Sequence, residues 1–203
     1  MSDPGTLSKA DAAVQRSLQR RQSAAEAEVG RLIEAGRTLF GDGGNPRVAD
    51  IVRVAGVSLE AFYRYFGSKQ EFVAAVAEDG GRRVTSYVEH KMSAEADPHR
   101  RLRAAVEALM SQASRPELAA AARNILNLAG AGRDGAPVQA SLADLLAPTL
   151  KDLGSSDPSS DASVAAVALV GILQDHVWRE TKPSRREVDH LVGFIAAAVT
   201  SSR

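Results

Sequence analysis

The chain contains no cysteine. That absence excludes a disulfide scaffold, a thiolate zinc site and a thiol nucleophile. Net charge is missing too: over 203 residues, 25 Lys and Arg stand against 25 Asp and Glu. A histone-like polycation and an acidic disordered chain are both excluded. Aromatic residues make up only 4%. The longest uncharged apolar run, Ala162 to Leu173, is about a dozen residues, against roughly twenty for a helix that spans a bilayer. Residues 1–15 are polar and hold no apolar segment of the kind a secretory signal needs. No window alternates apolar and polar residues with period two, and no internal repeat is found. A soluble, cytoplasmic protein with no membrane partner is the expectation.

What is present is helical. Hydrophobic residues make up 44%, enough for a buried core, and alanine and valine carry much of it. Residues 1–22 are polar, with Lys9, Arg16, Arg20 and Arg21, and read as a flexible arm, helical toward its end. From Ala24 onward Val29, Leu32, Ile33, Gly36, Leu39 and Phe40 fall on one face of a 3.6-residue period, until Gly41-Asp42-Gly43-Gly44-Asn45 stops it. Asn45-Pro46 then has the chemistry of a helix start, a side-chain cap followed by a residue with no N–H to satisfy. Ser58 is a cap for a short helix to Phe66, and Ser68-x-x-Glu71 is a capping box for the next. Later boundaries are Asp97-Pro98, a capping box at Ser114-x-x-Glu117, loops at 130–137 and 154–160, and a capping box at Ser184-x-x-Glu187. Pro148 should kink or end its helix.

Residues 48–66 read as a helix-turn-helix. Gly56 supplies the positive φ of a tight turn, Val57 fills the angle between the helices, and Ser58 caps the second helix. Ile51, Ala55, Phe62 and Phe66 are its buried side. Glu60, Ala61, Tyr63, Arg64 and Tyr65 are then left for solvent. A short helix exposing two tyrosines and an arginine suits a DNA major groove.

Ala55-Gly56-Val57-Ser58, then Phe62-Tyr63-Arg64-Tyr65-Phe66, then Ser68-Lys69-Gln70-Glu71-Phe72 resembles the DNA-binding signature of the TetR family of transcriptional regulators. The resemblance is detailed over residues 24–72. It implies that Tyr63, Tyr65 and Lys69 hold backbone phosphates, Lys69 with help from the N–H groups at its helix start. It implies that Leu59, Glu60, Ala61 and Arg64 face base edges. Arg47 is a further phosphate candidate, and Ser58 completes the DNA-facing set. The second helix opens with Pro46-Arg47-Val48 where the family usually has threonines. Charge agrees with this placement: residues 1–70 hold ten Lys and Arg against eight Asp and Glu.

The remaining residues suit an effector and dimerisation domain. Residues 161–173 are apolar nearly all round, and Val188, Leu191, Val192, Ile195 and Val199 form a second stripe. Val167, Val170, Gly171, Leu191, Phe194 and Ile195 are the expected interface of a homodimer. Met110, Asn124, Asn127, Gln174 and Trp178 are the candidates for contact with a largely apolar small-molecule effector.

Catalytic signals are lacking. His90, His99, His176 and His190 form no i, i+4 pair and no H-E-x-x-H, and there is no G-x-S-x-G, phosphate loop or dinucleotide fingerprint. No catalytic residue, metal site or cofactor is expected. The fold expected is all-α with about nine helices: an arm at 1–22, a helix-turn-helix domain at 23–70, and a helical effector-binding and dimerisation domain at 71–203. The function expected is a homodimeric regulator, a repressor released from a palindromic double-stranded operator by a small molecule. The alternative is a dimeric small-molecule-binding or protein-interaction scaffold whose DNA head no longer binds specifically.

Overall fold

The computed structural model describes residues 8–129 and 135–201. Among these it forms nine helices and no strand: α1 (Lys9–Gly41), α2 (Val48–Ala55), α3 (Leu59–Tyr65), α4 (Lys69–Ser93), α5 (Pro98–Ser114), α6 (Pro116–Ala129), α7 (Ala136–Asp152), α8 (Pro158–Arg179) and α9 (Arg185–Ser201). The all-α expectation is met.

Several boundaries differ from the sequence reading, each for a local reason. Residues 9–22, expected as a flexible arm, are the opening turns of α1. The Ser8 hydroxyl accepts from the Asp11 N–H at 3.1 Å, and good helix formers follow. The expected residues 1–7 of that arm lie outside the described residues. α2 starts at Val48, not at Pro46. Its cap is Arg47, whose N–H is taken by the Asp50 carboxylate at 3.3 Å, while the Asn45 amide oxygen accepts from Lys69. No capping box forms at 114–117. Pro116 forces Arg115 into an extended conformation (φ −103°, ψ 106°), so Ser114 closes α5 and its hydroxyl donates back to the Met110 carbonyl at 3.4 Å. α7 runs through Pro148 unbroken. Pro148 and Asp144, whose carbonyl the proline leaves without an N–H, are both exposed to water. α8 begins at Pro158 rather than Asp161, because Asp157 caps it through the Ser160 N–H at 3.2 Å. Of the loop expected at 130–137, residues 130–134 lie outside the described residues.

Two main cores result. The N-terminal core joins α1, α2, α3 and the start of α4 around Leu32, Ile33, Phe40, Ile51, Phe62, Phe66 and Phe72. Its phenylalanine rings interlock: Phe72 lies with its centroid 5.0 Å from Phe66, 5.2 Å from Phe62 and 6.1 Å from Phe40. Gly36 permits this. A Cβ there would sit 2.6 Å from the Phe72 ring and 2.9 Å from Val76. The second core joins the far half of α4 with α5, α7, α8 and α9 around Leu102, Val106, Leu109, Met110, Leu142, Leu146, Leu150 and Leu169. α4 belongs to both. α6 bridges them, with Ile125 in the first core and Ala119 packed with Ala113 and Val177.

Candidate nucleic-acid reading head and effector cavity

The turn between α2 and α3 forms as its residues dictate. Gly56 is left-handed (φ 64°, ψ 38°), and the Val57 N–H returns to the Val52 carbonyl at 3.1 Å. The Ser58 hydroxyl accepts from the Ala61 N–H at 3.0 Å. Ile51, Ala55, Phe62 and Phe66 are buried beneath it. On the outer arc of α3, Leu59, Glu60, Tyr63 and Arg64 are exposed.

Ala61 corrects the expectation that it faces solvent: it is 4% exposed. Residues 61, 62, 65 and 66 form the inner arc of this short helix, so Ala61 packs inward beside Phe62 and cannot read a base edge from there. Tyr65 is half-buried. Its hydroxyl donates to the Glu28 carboxylate at 2.7 Å, and the Arg64 guanidinium reaches the same oxygen at 3.2 Å. Glu28 thus ties α1 to α3 and fixes both side chains. Lys69, at the first turn of α4, donates to Asn45 and so fastens the α1–α2 connection to α4. Arg47 stands exposed at the start of α2. The result is a tethered helix with a solvent-exposed outer arc and a cation at each flank.

A cavity of about 580 Å³ opens where the end of α1 meets α4, α6, α7 and α8. Of the five residues expected to contact an effector, only Gln174 lines it. Met110 is enclosed in the second core at 1% exposure. The Asn124 amide donates to the carbonyls of Phe40 at 2.7 Å and Gly44 at 3.0 Å, so it clamps α6 to the end of α1. Asn127 is exposed. Trp178 follows the lining residue Val177, with its indole N–H buried and unpartnered among the described residues. Sequence reasoning missed the lining contributed by Gly80, Gly81, Gln112 and Leu126. A signal existed in the paired glycines of α4 and the alanine run Ala119–Ala122 of α6, because short side chains facing one another leave space.

The expected interface residues divide in two. Val167, Gly171 and Phe194 are exposed, with Val167 53% and Phe194 65% open. Val164 joins them at 70%. Val170 and Ile195 instead point into the chain's own core, at 2% and 6%, and Leu191 is half-buried. On α8 the inner positions are 162, 165, 166, 169 and 170, and the outer ones 164, 167, 168 and 171. The helix is apolar all round because it has two apolar faces, one of which the described residues leave uncovered.

Among the described residues no helix is long and apolar enough to cross a membrane. The family model for bacterial regulatory proteins of the tetR family matches residues 32–76. No curated protein sequence matches the chain. The fold is shared with many solved structures. The TetR family repressor AlkX from Dietzia sp., described as implicated in biodegradation of n-alkanes, superposes with a TM-score of 0.63 at 17% identity, over 85% of this chain and 96% of that one. RolR in complex with resorcinol gives 0.60 at 18% identity, over 88% and 90%. A transcriptional regulator from Rhodococcus sp. gives 0.60 at 17% identity, over 85% and 96%. Residues 32–76 thus match the helix-turn-helix domain of the tetR family of bacterial regulatory proteins, and the chain as a whole shares the fold of these regulators.

Proposed function

We propose that the chain is a homodimeric repressor that leaves a two-fold-symmetric operator when a small molecule fills the cavity. The observation that carries this reading is the outer arc of α3, where Leu59, Glu60, Tyr63 and Arg64 stand exposed between the cations Arg47 and Lys69. In this reading α3 enters a major groove of cytoplasmic DNA. Glu60 and Arg64 meet base edges with Leu59 beside them. Tyr63, Tyr65, Arg47 and Lys69 hold phosphates, and Ser58 keeps the helix start in register. The uncovered apolar faces of α8 and α9, with Val164, Val167, Gly171 and Phe194, join two copies, which a two-fold site requires.

Release follows from how α6 is held. It walls the cavity, and polar side chains tie it to the reading head at two points. Asn124 grips the end of α1, and the Gln70 amide of α4 donates to the Leu128 carbonyl at the end of α6 at 3.0 Å. A ligand that favours a displaced α6 thereby favours a different placement of α1 and α4 under α3. Only a difference in ligand affinity between the two conformers is needed.

Tyr63→Ala and Lys69→Ala test the DNA reading in a mobility-shift assay with fragments of the source chromosome. Each should weaken binding about tenfold while the helical circular-dichroism spectrum stays unchanged. Unchanged affinity in both variants would contradict it.

A further inference from the structure

We propose that the cavity takes a neutral, mainly aliphatic molecule with a single hydrogen-bonding oxygen placed against Gln174. This rests on the effector reading above and narrows it to a chemical class. The cavity volume, about 580 Å³, lies in the range of roughly 300–1,000 Å³ that encloses drug-sized ligands. Val76, Val84, Leu118, Ile125, Leu126 and Leu173 supply its apolar wall. No aromatic side chain is among the described lining residues. A stacked aromatic ligand and a quaternary ammonium group both lack the ring faces that such ligands use.

The polar lining disfavours a charged ligand by its own pairing. Arg37 and Arg83 line the cavity, and each guanidinium is already paired with carboxylates through Nε and Nη2. Arg37 is paired with Glu34, its Nε donating at 3.0 Å. Arg83 donates from Nε to Asp79 at 2.7 Å and from Nη2 to Glu34 at 3.3 Å. Asp42 and Glu117 also line the cavity and cancel the two arginines in charge. An incoming carboxylate would meet two guanidiniums whose charge is already shared with carboxylates, in a field with no excess positive charge.

The uncharged polar groups single out one residue. The Thr38 hydroxyl donates to the Glu34 carbonyl at 3.1 Å. The Gln112 amide donates to the Ala108 carbonyl at 3.2 Å. Both donors are used within their own helices. Gln174 is half-buried, and its amide has no hydrogen-bond partner among the described residues. Its nitrogen lies 2.9 Å from where a Cβ on Gly135 would stand, so only a glycine there leaves the amide room. A hydroxyl or carbonyl oxygen would satisfy this donor, and an alkyl body would cover the wall.

The test is isothermal titration of the full-length protein with 1-octanol, octanoate, octyltrimethylammonium and 1-chlorooctane, which differ only in the head group. Octanol should bind at least about tenfold more tightly than the anion and the cation. Gln174→Leu should weaken octanol by about two- to tenfold and leave 1-chlorooctane unchanged. Gly80→Leu should abolish binding of every probe without unfolding the chain. No atom lies within 4 Å of a Cβ at Gly80, so its side chain enters the cavity freely. Tighter or equal binding of the anion or cation, lost in Gly80→Leu, would overturn the class and leave the cavity standing as the effector site. Octanol binding that survives Gly80→Leu would overturn both, and so would the failure of every probe to bind. The DNA reading is scored separately, by Tyr63→Ala and Lys69→Ala.

Discussion

The two cores of this chain are built from different materials. Phe40, Phe62, Phe66 and Phe72, four of its five phenylalanines, interlock beneath the helix-turn-helix. The main core of the body contains no aromatic ring and is packed with leucine, valine, alanine and methionine. The difference follows from size. The head must fix a seven-residue helix with few residues, and large rings give the most buried area and the most definite packing per side chain. The body has long helices and no such shortage. Its short side chains let the helices approach closely where they meet and leave an empty volume where glycine and alanine face each other across α4 and α6. A rigid helix-turn-helix surface at the start of α4 and a fillable cavity along its middle therefore sit side by side for compositional reasons.

Phe72→Ala should do the most to break that contrast. It removes the ring shared by three others, and should cost about 3–5 kcal/mol in urea unfolding together with DNA binding. Next comes overfilling. Gly36→Ala presses a methyl group into Phe72 and Val76 and should cost about 1–3 kcal/mol. Gly30→Ala on the same helix meets no atom within 4 Å and should stabilise by about 0.5–1 kcal/mol. Thermal melts of the two variants should move in opposite directions.

Asn124→Ala tests the joint between the two regions. Freeing the Phe40 and Gly44 carbonyls should lower stability by about 1 kcal/mol. It should also shrink the effect of a cavity ligand on DNA affinity by about fivefold, while ligand affinity measured without DNA changes less. The smallest effect is electrostatic. Burial pushes the Asp79 carboxyl up, but the Arg83 and Arg82 guanidiniums outweigh it and hold the group below its ordinary value. A carboxyl lowered on folding contributes stability above its unfolded pKa and loses it as pH falls through the folded one. Asp79→Asn should therefore cost at most about 1 kcal/mol at pH 7, and the difference from the unmodified chain should begin to shrink near about pH 4 and vanish only once the pH is below the lowered folded pKa.

The head was largely legible in the sequence because local chemistry specifies it. Gly56 must be left-handed, Ser58 and Ser68 must cap, and the aromatic spacing must turn inward. Ala61 was misplaced because on a seven-residue helix a small side chain gives no sign of which arc it occupies. The opening of α1 was missed because its apolar residues lie exposed among the described residues and carry no periodic signal. Val14 and Leu18 are each 58% exposed. Asn124 could not be assigned from its neighbours in sequence. It bonds backbone 80 and 84 residues away, and only the packed fold brings them together. The cavity was predicted in kind but not in lining, because it is defined by side chains that are small.

The most direct test of the account is selection of random-sequence duplexes on the purified protein at about 150 mM salt, where contacts to phosphate alone are weak. The account predicts enrichment of two-fold-symmetric sites whose half-sites lie about one helical turn, or a multiple of it, apart. Enrichment of no sequence, with α3 intact, would contradict it.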